Sequence, residues 1–170
     1  MTAQPDFLRR TPRSTTHQHF ARPYEDFTVG DTFSTGGRTI TETDVVNFSV
    51  WTGDMLPSHI DRHWSETNSL HGRRVANGLL VLSYTLGLLP IDHENALALR
   101  RIREVVMKRP TFLDDTIHAE GVVTGLRRLD RFGCVETKVS SVNQDGLTVA
   151  VGTFEMLWRS TFDTDTGNDS

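Results

Sequence analysis

The chain has 170 residues, 24% charged and 36% hydrophobic, enough for one soluble domain with a sizeable core. Lys and Arg number 18 against 22 Asp and Glu, and the resulting formal charge of −4 argues against a nucleic-acid binder with a basic face. A single cysteine, Cys134, excludes an internal disulfide framework and a multi-cysteine metal site, and suits a reducing cytoplasm.

Residues 1–22 are polar and aperiodic and are expected to form a flexible arm, locally basic through Arg9, Arg10, Arg13 and Arg22. They contain no apolar run of the signal-peptide kind. A body over 23–159 and a polar, acidic tail over 160–170 complete the expected division. Strand character over 32–40 precedes the segment TETDVVNFSVWTG, which reads as a helix. Thr41 and Asp44 have the spacing of a capping box, Val45, Phe48 and Trp51 recur toward one side, and Gly53 can close the helix in a left-handed conformation. The stretch TGDMLPSHID then reads as a loop, followed by a short helical piece over 63–69. NGLLVLSYTLGLLP is a second helix, with Asn77 as N-cap and Pro90 as stop. It is apolar nearly all the way round, the pattern of a helix enclosed by protein, and too short to span a bilayer.

Beyond it the period drops to two. Ile117, Ala119 and Val123 alternate with polar neighbours, as do Val135, Thr137 and Val139, and Phe154, Met156 and Trp158 share a face. Turn residues at 130–133 and at 143–146 separate these runs. With 97–107 in front, the pattern predicts a meander of about four antiparallel strands. One buried helix and one sheet give an α+β domain.

Asp54 and His59, five residues apart around Pro57, are the natural acid–base pair, because a carboxylate and an imidazole can both accept a proton near neutrality. The alternative is a turn-satisfying Asp beside an ordinary His. Gly78 would open the second helix, where an unpaired backbone N–H meets the positive end of the helix dipole. With no side chain it admits a carbonyl oxygen closely, though a glycine there can also serve packing alone. A metal reading of the alternating His59, Asp61 and His63, with Asp54 nearby, would need the two histidines on one helical face. Pro57 and the loop character argue against it and no third strong ligand is placed, so no metal site is assigned.

These residues resemble a known family. TGDMLPSHID with Ser65 after it is similar to the signature of the MaoC-like dehydratases and (R)-specific enoyl-CoA hydratases. GRRVANGLLVLS, KRPTFLDDT and YEDFTVGDTF are similar to the family's helix entry, inter-strand stretch and first strand. The resemblance spans roughly 24–159 and implies a hot-dog fold, a long central helix wrapped by a curved antiparallel sheet. It implies a homodimer and a cytoplasmic hydro-lyase that adds water to, or removes it from, an acyl thioester. Coenzyme A or the phosphopantetheine of an acyl carrier protein would enter only as part of the substrate, with no separate cofactor. Carried over by position, Asp54 and His59 become the catalytic pair and Gly78 the amide that binds the thioester carbonyl. Asn77, Lys108 and Arg109 become candidate substrate contacts. One position departs from the family pattern: Leu56 stands where an Asn is usual. That departure keeps a non-catalytic thioester-binding subunit in view as an alternative, as the hot-dog fold does a thioesterase. No membrane or nucleic-acid partner is expected.

Overall fold

Six antiparallel strands form one sheet in the order β1-β4-β5-β6-β3, with the short β2 also paired to β4. The structure, a computed structural model, describes residues 20, 22–91 and 94–161. In chain order the elements are a 3₁₀ turn (Tyr24–Asp26), β1 (Thr32–Ser34), β2 (Arg38–Thr39), α1 (Glu42–Thr52), α2 (Pro57–Ile60), α3 (Arg62–Asn68), α4 (Gly78–Leu88), β3 (Ala96–Met107), β4 (Thr116–Leu129), β5 (Phe132–Val142) and β6 (Thr148–Arg159). This is the central helix and wrapping sheet of the hot-dog arrangement.

The hairpins β4–β5 and β5–β6 are the expected meander, closed by turns at Asp130 and at Gly146, whose φ of 74° suits a residue without a side chain. β3 departs from that expectation. It pairs with β6 rather than with β4 and so becomes an outer edge of the sheet. Its three register shifts, and Glu104 at φ 53°, show a bulged strand, and bulges concentrate at such edges.

The inward faces of the strands meet α4 on two sides. Leu82 packs with Phe33, Ala119, Val123, Val135, Val139, Phe154 and Trp158. Leu80 and Val81 pack with Ile40, Val45, Ile117, Val149 and Ala150. The helix is therefore buried on two flanks, yet Leu79, Ser83 and Gly87, four residues apart, form an exposed stripe. Enclosure all the way round is not complete within one chain.

The capping box of α1 forms as read: the Thr41 hydroxyl accepts from the Asp44 N–H, and the Asp44 carboxylate accepts from the Thr41 N–H. Gly53 ends the helix at φ 76°. Trp51 differs from expectation, being 80% exposed, because the last turn of α1 projects beyond the core that holds Val45. Within the segment expected as an arm, Phe20 is buried against Phe27, Phe33 and Trp158, and Arg22 pairs with Asp31. Residues 1–19 lie outside the described residues, as do 162–170. Among the described residues no helix is long and apolar enough to cross a membrane.

Candidate active site

The stretch read as a loop contains a helix. Pro57 occupies the first position of α2, where its missing N–H costs nothing and its fixed φ favours a helical start. This short turn holds His59 nearly buried. Ser65 on α3 braces it, with its hydroxyl donating to the Pro57 carbonyl at 3.3 Å. Asp61 caps α3 by accepting from the Trp64 N–H, and is engaged there rather than with His59.

The ring of His59 is oriented by one bond. Its Nδ1 lies 2.8 Å from the Val75 carbonyl oxygen. A carbonyl only accepts, so Nδ1 carries the hydrogen, and in the neutral ring Nε2 is left as an acceptor. Nε2 faces Asp54 Oδ2 across 3.7 Å. Two acceptors at that separation do not bond each other. A molecule with two O–H donors satisfies both.

Asp54 follows the left-handed Gly53 and stays partly exposed, with 38% of its side chain open to solvent. Its Oδ2 accepts a 2.8 Å bond from Nδ2 of Asn77, whose amide also donates to the Ser49 hydroxyl at 3.3 Å. Asn77 is wholly buried and sits at the N-cap of α4, yet its side chain caps nothing. Its Oδ1 is buried without a hydrogen-bond partner among the described residues, a deficit worth about 1–3 kcal/mol.

The next residue, Gly78, opens α4, so its N–H has no intrahelical acceptor. It also lines a cleft of about 390 Å³ bounded by Val81, Met107, Lys108, Arg109 and Val149. A Cβ on Gly78 would stand 3.4 Å from the Met107 side chain. Val75 and Ala76 line the same cleft, so the segment that orients His59 is also a cleft wall. The Ala76 N–H ties that wall to the Thr111 carbonyl at 2.7 Å.

A family model described as MaoC like domain matches residues 26–144, well over half of the chain. The chain belongs to the MaoC-like domain family. Protein MaoC of Klebsiella aerogenes is 36% identical over 69 residues, a match spanning 41% of this chain and only 20% of that protein. A solved structure described as a monoamine oxidase regulatory protein from Archaeoglobus fulgidus is 32% identical, with a TM-score of 0.77 over 84% of this chain and 99% of its own. The R-hydratase PhaJ1 of Pseudomonas aeruginosa superposes with a TM-score of 0.67, covering 81% of this chain and 86% of its own. At 23% identity, that match speaks to the fold alone.

Within this MaoC-like domain the residues singled out by sequence fall into two connected groups. Asp54, His59 and Asn77 converge directly, while Gly78, Lys108 and Arg109 share the cleft. Arg109 Nη1 donates to the Thr148 carbonyl at 2.7 Å. Two contributors had no signal in the sequence. Val75 acts through its backbone carbonyl, and His71 lines the cleft from a segment without periodicity. Leu56 proves to be the N-cap of α2, 58% exposed and unable to accept a capping bond. Among the described residues, no three His, Cys, Asp or Glu side chains are grouped to hold a metal ion.

Proposed function

We propose that this MaoC-like chain is a hydro-lyase that interconverts 2-enoyl and 3-hydroxyacyl thioesters by addition or loss of water. The observation that carries the reading is the facing pair of acceptors, His59 Nε2 and Asp54 Oδ2, 3.7 Å apart. One water, donating a hydrogen to each, would be held with its oxygen free to attack. In the hydration direction, that oxygen bonds to C3 of the enoyl group while one of the pair removes its proton. The carbon–carbon double bond shifts its electrons toward the thioester carbonyl. The resulting oxyanion is stabilised by the Gly78 N–H at the positive end of α4. Return of that proton to C2 from the member of the pair that took it completes the addition and restores both groups, while the other member holds the water in place. The reverse sequence expels water from the 3-hydroxyacyl thioester.

The reaction is redox-neutral, and coenzyme A or a phosphopantetheine arm is needed only as the acyl carrier. Lys108 and Arg109 on the cleft rim offer positive charge to its phosphates. A homodimer fits the apolar side chains left open on the edge strand β3, Leu97, Leu99, Ile102 and Val106, together with the Leu79 stripe of α4.

The test is loss of the ultraviolet absorbance of the conjugated enoyl thioester, measured across a panel of acyl chains. Asp54→Ala and His59→Ala are each expected to lower kcat by about 10²–10⁴-fold. Release of free thiol without gain of water would instead identify a thioesterase, and binding of acyl-CoA without either change would identify a non-catalytic subunit.

A further inference from the structure

We propose that Asn77 is the positioning residue of the acid–base pair, fixing the Asp54 carboxylate against His59 where Leu56 supplies no polar anchor. The inference rests on the hydro-lyase reading and adds to it a residue whose task is geometric.

Asp54 lies on the loop after α1, partly open to water, and a free carboxylate there would rotate. Among the described residues, its carboxylate accepts one hydrogen bond, the 2.8 Å bond from Asn77 Nδ2. That bond also settles which way the Asn77 amide points, because a carboxylate cannot donate to an amide oxygen. The second hydrogen on Nδ2 goes to Ser49 on α1, the helix that leads into Asp54. One amide therefore grips both the carboxylate and the helix behind it. Asn77 is also the residue before Gly78, so the same backbone segment sets the carboxylate and the carbonyl-binding N–H in register.

A stabilising role alone does not explain this side chain. It forgoes the capping position it occupies, and its Oδ1 is buried with no partner among the described residues. An apolar side chain of similar volume would avoid that deficit. An arrangement that sacrifices local stability for orientation is the pattern found at reactive sites. Leu56, exposed at the start of α2, leaves the carboxylate dependent on α4 for its anchor.

Asn77→Leu tests this. Loss of the anchor is expected to lower kcat about 100-fold, the scale of a misplaced reacting group, with KM within about threefold and Tm unchanged or raised. In the Asp54→Ala background the same substitution is expected to produce no further loss, since its target is gone. Unchanged kcat overturns the proposal. So does a loss that tracks a fall in Tm and persists undiminished without Asp54. If the wild-type protein turned over no thioester of the panel, the hydro-lyase reading would fail by itself. The anchor is then read in ¹⁵N-labelled wild-type protein, where the Asn77 side-chain amide signals are expected to move in Asp54→Ala. Signals that stay in place overturn the anchor.

Discussion

Asp54 and His59 are brought together by backbone as much as by spacing. Five residues apart in sequence, they meet because Gly53 turns the chain out of α1 at φ 76° and Pro57 starts a new helical turn. At Gly78, size matters to the cleft rather than to the fold. A methyl group there meets Met107 at 3.4 Å, an ordinary contact, so Gly78→Ala is expected to fold with little change in Tm. Added bulk at the cleft mouth is nevertheless expected to reduce kcat/KM by about tenfold or more, measured on the best thioester of the panel. The meeting of Asp54 and His59 was legible in the sequence because Gly53 and Pro57 mark a tight turn between them. The Val75 carbonyl was not, since a backbone oxygen carries no residue signature. Asn77 was visible as a cap and as a candidate substrate contact, and its bond to the carboxylate became clear when Asp54 was placed in space.

At the level of elements, α1 is tied to α4 through Asp44. Burial alone would raise its carboxyl. Hydrogen bonds from the Tyr84 hydroxyl and from the N–H and hydroxyl of Thr41, with Arg38 nearby, outweigh that and bring it from 3.8 down to about 2. A folded value below the unfolded one means stability that is present above 3.8 and lost as pH falls toward 2. The Tm difference between wild type and Asp44→Asn is therefore expected to shrink over that interval, followed by thermal melts at stepped pH. For α2, Leu56→Asn supplies the missing cap and is expected to stabilise the protein by about 1 kcal/mol, read from urea unfolding. The capping box of α1 could be read directly because its two residues announce it. α2 escaped notice because a proline marks a loop and a first helical position equally well, and four residues show no period.

Across the whole molecule, the outer face of the sheet is organised around Glu155. It is 1% exposed and faces Arg100 at 2.6 Å, Arg127 at 2.9 Å and Arg103 at 3.2 Å, with Arg101 at 3.9 Å. Arg103 also pairs with Glu136 on the neighbouring strand β5. Burial works against the charge of Glu155, but the guanidinium groups prevail and hold its carboxyl below the ordinary range. Glu155→Gln is expected to destabilise the fold by about 1–3 kcal/mol, below the usual cost of breaking a buried pair because the arginines can rehydrate, as measured by urea unfolding. Strand existence was clear from alternation, but the position of β3 beside β6 was not. Alternation specifies a strand's faces and leaves its neighbour open. The second copy proposed for that edge is checked by sedimentation equilibrium, with the expected mass twice the 19.2 kDa of one chain.

The bond from His59 to the Val75 carbonyl makes one segment answer to two demands. Its backbone both shapes the cleft and sets which ring nitrogen is free, with Ala76 pinned to Thr111 beside it. A shift of that segment to admit a bulkier acyl group would pull the imidazole out of alignment with Asp54. Under the proposed function, acyl range is thus most readily retuned through the side chains of Val81, Met107 and Val149, which stand on α4, β3 and β6, while the Val75–Ala76 wall resists being moved.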